Sequence, residues 1–427
     1  MDIIAKNHKN KKFKEFRKCT RSLTPRPGLP VCVDGISDTK DIANLFMNHF
    51  RVQALPVTHD YVSEHTVEGL DAEPNHTLAF FKTEEVKRIV KYMTRGKSPG
   101  HDGLSIEHLQ YAGVHLPRVL CLLYNICVVH SYLPEELMRN VVVPVVKDRT
   151  GDVTDIKNYR PISLATITAK VLDGLLDRKL DQYLDLHDAQ FGFRAGLSTE
   201  SAVLTLKETV KYYTSRKTPV YACFLDLSKA FDLVSYPILW DKLRRTGMPQ
   251  ELISIFRHWY ARQDNQVRWA GVYSDTYRLE CGVRQGGRSS PKLFSLYVNE
   301  LIEGLSSMHA GCSIDNQMNN NISYADDMVL LSPSVCALRD LLRVCEDYAE
   351  KHGLKYNVKK SMLMVFAAGS ISPSYVPPVR LYGAELVRVP KFTYLGHVVT
   401  ADMKDNCDID RERRALAVRG NMIARRF

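Results

Sequence analysis

The chain contains no run of about 18 uninterrupted apolar residues, so the sequence predicts no membrane-spanning helix. It contains no Cys-x-x-Cys pair. Among its ten cysteines the closest are Cys121 and Cys127, which argues against zinc ribbons, zinc knuckles and thioredoxin-like redox motifs and favours a reducing compartment. The opening stretch, MDIIAKNHKNKKFKEF, has no apolar core behind its charges. It does not read as a secretory signal, and an intracellular location, nucleus or cytoplasm, is expected. There is no internal repeat and no low-complexity tract. Of 427 residues, 45% are apolar and 25% charged, which excludes wholesale disorder, collagen and coiled coil. At roughly 100–200 residues per domain, the length allows two to four lobes.

What the chain does have is positive charge at its ends. The net charge is +10, with nine Lys or Arg within residues 1–26 and six Arg within 408–427. Basic ends on a near-neutral body suggest contact with a polyanion, most simply nucleic acid, although two solvated tails would show the same pattern.

Periodicity divides the interior. Ile42, Leu45, Phe46, His49 and Phe50 recur at helical spacing amid prolines. Thr83 is expected to cap a helix with Val86, Ile89, Val90 and Met93 on one face. Further helices are expected over Ala169–Leu184, Ser198–Tyr213, Pro291–Leu305 and Leu338–His352, and after Pro237 and Pro249. Val141–Val146, Val220–Leu225, Met362–Phe366 and Phe392–Val399 read as strands, and Gln266–Glu280 and Ile322–Leu331 as hairpins. Helices alternating with short strands indicate an α+β protein of several lobes.

Two acidic signals stand out. Tyr324-Ala325-Asp326-Asp327 sets adjacent acids inside an apolar hairpin, and Asp226 closes the apolar strand Val220–Leu225 about 100 residues upstream. An ionised carboxylate in such surroundings is costly unless paired or metal-bound. If the two strands are neighbours, Asp226 and Asp326 converge. Convergent carboxylates suit two Mg²⁺ ions, about 3.5–4 Å apart, which take oxygen ligands and bridge to substrate phosphates. Side-chain alternation along a strand turns Asp327 away from Asp326 and gives it the lesser role. Between the acids lies GVRQGGRSSP, residues 282–291, whose glycines let backbone approach a ligand. Its Gln285 offers a donor and an acceptor to a base or primer.

The order of these elements resembles the reverse transcriptases of non-LTR (LINE-type) retrotransposons over roughly residues 40–400. The resemblance rests on KSPGHDGLS at 97–105, VVVPVVK at 141–147, KNYRPISL at 157–164, QFGFRAGLST at 190–199, FLDLSKAFD at 224–232, GVRQGGRSSP, YADD at 324–327, GLKYNVKKS at 353–361 and YLG at 394–396. It implies a right-hand polymerase with an antiparallel palm sheet. The implied division is a basic extension over 1–80, fingers with part of the palm over 81–219, palm over 220–400, and the start of a short thumb over 401–427. It implies RNA-templated addition of dNTPs to a primer 3′-hydroxyl, with RNA template, DNA primer or target and dNTPs as partners, and two Mg²⁺ ions, with Mn²⁺ as a substitute.

Residue by residue, Asp226, Asp326, Asp327 and the Leu227 backbone carbonyl match the family's metal-binding positions. Phe231 matches the aromatic beneath the incoming sugar, where a ring would clash with a ribose 2′-hydroxyl. Lys147 and Arg160 match the triphosphate-binding fingers. Gln285 and Gly286 fall in the loop beside the nucleotide. Lys360 sits where a lysine could protonate or neutralise the leaving pyrophosphate. Arg194, between Phe193 and the following loop, suits single-stranded template. Arg288 and Ser289 depart from the apolar residues usual before Ser-Pro. The family's endonuclease and its cysteine/histidine knuckle are not found, so the resemblance implies an open-reading-frame fragment or a degraded copy. A catalytically impaired nucleic-acid-binding remnant and an RNA-dependent RNA polymerase are the alternatives. The aromatic at 231 counts against the latter.

Overall fold

Val220 through Leu225 are apolar at every position because the strand they form, Val220–Asp226, is covered on both faces. Val220, Ala222 and Phe224 pack into one core with Ile322, Val329 and Leu331. Tyr221, Cys223 and Leu225 pack into the other with Met328 and Leu330. The computed structural model describes residues 29–54, 79–148, 151–368 and 375–424. The basic stretch 1–26 lies outside the described residues.

Val220–Asp226 is the centre of a five-stranded sheet. Asp327–Ser332 and then Asn321–Tyr324 lie on one side of it, and Met362–Phe366 and then Val387–Arg388 on the other. All its pairings are antiparallel except the last, which is parallel. The register sets Asp226 opposite Asp327. Helix Thr199–Ser215 covers one face, while Ser290–Ser307 and Val335–Lys351 cover the other.

A second sheet, ordered Tyr159–Leu164, Arg139–Val146, Asp264–Trp269, Val272–Tyr273, forms the other lobe. The expected hairpin Gln266–Glu280 is present, but its first arm is recruited into this sheet by parallel pairing with Arg139–Val146. Helix Thr39–Phe50 packs on the same sheet. Asp38 caps it by accepting from the backbone N–H of Lys40 and Asp41. Its Phe46 ring lies 4.9 Å from that of Tyr159 and 5.0 Å from that of Trp269. The segment expected as an extension therefore contributes a helix to this lobe's core.

Three local expectations differ from what forms. Thr83 is the first helical residue rather than the cap, because Glu85 reaches back to the Lys82 N–H at 2.7 Å and starts the helix one residue earlier. The helix expected from Ala169 begins at Ile167, capped by the Thr166 hydroxyl, and ends at Leu180. Phe392–Val399 is a hairpin rather than one strand. Leu395 and Gly396 turn it at φ +48° and +81°, and Lys391–Tyr394 pairs with His397–Thr400. The final helix, Asn406–Ala424, buries none of its residues. It is tied to the body through Asp405 to Lys207 at 2.5 Å and Asp408 to His397 at 2.9 Å. Among the described residues, no helix is long and apolar enough to cross a membrane.

Candidate active site

Asn321–Tyr324 and Asp327–Ser332 are joined by a two-residue turn, Ala325-Asp326. Such tight turns require positive φ, and Ala325 adopts +57° at a cost that a glycine would avoid. The surroundings hold it there. Gln190, fully buried, accepts from the N–H of Ala325 at 3.1 Å and of Gly192 at 2.9 Å. Gly192 lies so close that a Cβ would sit 2.5 Å from the Ala325 nitrogen. The chain around Gln190 runs alongside Ser323, with the Phe191 N–H donating to the Ser323 carbonyl at 2.7 Å.

Asp226 ends the neighbouring strand. Its N–H donates to the buried Ser361 hydroxyl at 3.2 Å, and its carbonyl accepts from Asn357 at 2.8 Å. Ser228 bonds to Lys355 on the same side, so the Leu227 carbonyl takes no part in that ladder. Asp226, Leu227 and Asp326 all line an open cleft of about 840 Å³.

The expected separation of Asp327 from Asp326 does not hold electrostatically. Alternation applies within a strand, whereas Asp326 occupies the turn and Asp327 starts the return strand opposite Asp226. Burial raises all three carboxyls above the usual range. Asp226 adds to the rise of Asp326, and Asp326 and then Asp226 push Asp327 up to about 6. Three neighbouring acids, of which Asp226 raises the other two and Asp326 raises Asp327, call for a shared cation or proton. Among the described residues, no group of three or more His, Cys, Asp or Glu is arranged to hold a metal ion by itself. The donor set fits hard cations completed by substrate oxygens rather than a protein-only cage.

Cations line the same cleft. Lys147, Arg160, Lys229 and Lys360 all border it. Lys147 Nζ donates to the Lys157 carbonyl at 3.0 Å. Burial, then Lys360, Lys229 and Arg160, hold the Lys147 ammonium below its ordinary pKa, against the pull of Asp232. Lys360 Nζ is 3.8 Å from Asp226. A concave surface that sets acids beside crowded cations is matched to a polyanion carrying its own countercharge.

Phe231 lines the cleft and stacks on Phe294, with centroids 4.7 Å apart and planes 15° apart. Core packing and a cleft-facing edge thus belong to one ring. Gln285 does not hold its amide NH₂ wholly free for a base, because Nε2 donates to Asp232 at 2.8 Å, and its backbone carbonyl accepts from the Ser163 N–H at 3.1 Å. Gly286, at φ +108°, lines the cleft beside it. Arg194 is a correction. Its guanidinium donates to the carbonyls of His187 and Gln190 and pairs with Asp188 at 3.2 Å, so it staples its own loop and is not among the residues that line the cleft. Phe193 is the residue of that loop that borders the cleft, half exposed and at φ +58°, while Phe191 packs against the core.

Sequence reasoning missed Gln190, Gly192, Lys229, Asp232 and Ser361 as contributors to the site. All five lie inside the motifs above, and a buried glutamine two residues from a glycine shows no distinguishing signal in one chain. His49 and Phe50, from the helix placed in the extension, also line the cleft.

The family model described as reverse transcriptase (RNA-dependent DNA polymerase) matches residues 146–399, which include both acid strands and the loop between them. The chain belongs to the reverse transcriptase family. It is 26% identical over 408 residues to the probable RNA-directed DNA polymerase from transposon BS of Drosophila melanogaster, covering 91% of this chain and 44% of that protein. It is 28% identical over 330 residues to the retrovirus-related Pol polyprotein from type-1 retrotransposable element R2 of Popillia japonica, covering 75% of this chain and 45% of that one. Among solved structures it is similar to telomerase from Candida tropicalis in complex with a telomeric RNA fragment, at 12% identity and a TM-score of 0.44, covering 64% of this chain and 45% of that one. The chain spans less than half the length of these curated relatives. Reverse transcriptases as a family use divalent metals.

Proposed function

We propose that this reverse transcriptase domain is an RNA-directed DNA polymerase, adding dNTPs to a primer 3′-hydroxyl on an RNA template. The observation that carries the reading is the convergence in one cleft of Asp226 and Asp326, with Asp327 coupled to both, and of the cations Lys147, Arg160, Lys229 and Lys360. Asp226, Asp326 and the Leu227 carbonyl, with Asp327 alongside, would hold two Mg²⁺ ions, or Mn²⁺, which when bound supply the positive charge that phosphoryl transfer needs. Lys147 and Arg160 draw in the triphosphate. Lys360, beside Asp226, neutralises the departing pyrophosphate or gives it a proton. Phe231 forms the floor under the sugar. Gly286 brings backbone to the nucleotide, and Gln285 is oriented by Asp232. RNA template, DNA primer and dNTPs are the proposed partners, and an intracellular location agrees with the free thiols of the described cysteines.

Primer extension on an RNA template with Mg²⁺, supplying either dNTP or NTP, tests this. Wild type should extend with dNTP. Asp226→Ala and Asp326→Ala should each lower the rate on the order of 10³-fold or more, and Asp327→Ala should leave a trace. Near wild-type rates in either of the first two would sink the assignment. Template binding without extension would identify a non-catalytic remnant, and preference for NTP an RNA polymerase.

A further inference from the structure

Asp173 lies on helix Ile167–Leu180, with its side chain only 4% exposed. A buried carboxylate of this kind must be paired. All three partners come from the loop 282–291. Asp173 Oδ1 accepts from Arg284 Nη2 at 3.1 Å and from the Ser289 hydroxyl at 2.5 Å, and Oδ2 accepts from the Arg288 backbone N–H at 2.6 Å. Arg284 is equally buried, and its guanidinium lies 4.0 Å from the Trp259 ring centre. Gly287 permits the close approach. A Cβ there would stand 2.5 Å from the Ser290 hydroxyl and 3.4 Å from Asp173 Oδ2.

Between these attachments lie Gln285, Gly286 and Gly287, all lining the cleft. Their outer side is fixed as well, by the Ser163 N–H on the Gln285 carbonyl and by Asp232 on its amide. The helix itself is held by Val171, Leu172, Leu175 and Leu176 in the apolar core. The carboxylate therefore adds to the placement of the loop more than to the seating of the helix. Of the two residues that depart from the family's usual apolar ones, Ser289 supplies a bond through its hydroxyl, whereas Arg288 supplies one through its backbone N–H, as any non-proline residue there would.

We propose that Asp173 is a positioning residue that fixes the 282–291 loop, so that Gln285 and Gly286 are set for the incoming nucleotide. The proposal rests on the polymerase reading above. Asp173→Asn keeps the shape but replaces one acceptor oxygen by an NH₂ that cannot accept, leaving at least one of the three donors unpaired. Ser289→Ala removes a single donor and is the milder variant.

The experiment measures KM for dNTP and kcat in primer extension, together with the rate of trypsin cleavage after the exposed Arg288 relative to other sites. Asp173→Asn should raise KM about 10-fold with kcat within about 3-fold, and accelerate the Arg288 cut about 10-fold. Ser289→Ala should move both in the same direction by less. An Asp173→Asn protein that melts like wild type and keeps its KM overturns the proposal, whatever its cleavage rate. Should that variant fail to fold, a wild-type KM and cleavage rate in Ser289→Ala overturns it. A wild type that extends no primer counts against the polymerase reading instead, and the Arg288 cut alone then decides whether Asp173 holds the loop.

Discussion

At the scale of single residues, the acids and the ring beneath them make separable predictions. The raised carboxyl of Asp327, at about 6, holds its proton more tightly in the folded chain than in the unfolded one. Its ionisation therefore works against folding. That penalty is absent below the ordinary carboxylate pKa, grows as pH rises, and is complete above about 6. Without divalent metal, Asp327→Asn should melt higher than wild type above pH 6, by only about 1–2 °C because its partly buried carboxyl keeps solvent contact and is screened, and the gap should close near pH 4. Calorimetry across that range checks it, and a constant gap would contradict it. Added Mg²⁺ should stabilise wild type above pH 6 and do so less at pH 5. Phe231 tests sugar choice. Overpacking a rigid site costs about 1–3 kcal/mol, or roughly 5–150-fold discrimination against NTP. Phe231→Val should relax that ratio while dNTP extension persists. Unchanged exclusion of NTP in single-nucleotide extension would make the ring core alone, stacked on Phe294. Asp226 was legible in the sequence because an acid ending six buried apolar residues is anomalous. Asp173 was not, since its partners lie 111 to 116 residues away and an acid in an amphipathic helix reads as surface.

At the scale of elements, the acid hairpin depends on a neighbour remote in sequence. Gly192→Ala would drive a Cβ against the Ala325 nitrogen. Backbone cannot step aside as a side chain can, so the turn carrying Asp326 must move. Extension should fall about 10-fold or more, while the two-sided apolar packing of the sheet limits the stability loss to about 1–3 kcal/mol. Wild-type extension by this variant would show that the turn tolerates displacement. The hairpin, its apolar flanks and the helices around it follow from period and composition. Asp327's place does not, because side-chain alternation holds within a strand and the turn at Ala325-Asp326 interrupts it. Phe392–Val399 looks continuous in sequence because Leu395 carries no turn signal and Gly396 is a single residue within an apolar run. The recruitment of Thr39–Phe50 into the second sheet's core was hidden by the prolines around it. Periodicity gave the helix but not its destination.

At the scale of the whole molecule, charge predicts a salt-dependent, sequence-poor grip on nucleic acid. Each neutralised phosphate adds roughly one unit to the log–log slope of affinity against salt. With nine Lys or Arg in 1–26, deleting that stretch should lower the slope by several units, and an unchanged slope would exclude it from the binding surface. The strand order has a further consequence, for synthesis. The central strand ends at Asp226, yet its two partners are Asp327–Ser332 and Met362–Phe366. At about 5–20 residues per second, the ribosome needs roughly 5–20 s after making Asp226 to finish even the first partner. During that interval a strand apolar on both faces has no sheet to join, and nascent chains crowded on one messenger present identical sticky segments to each other. Yield of soluble protein should then depend on how fast residues 227–366 are translated and on chaperones that shield extended apolar segments, more than on the stability of the finished fold.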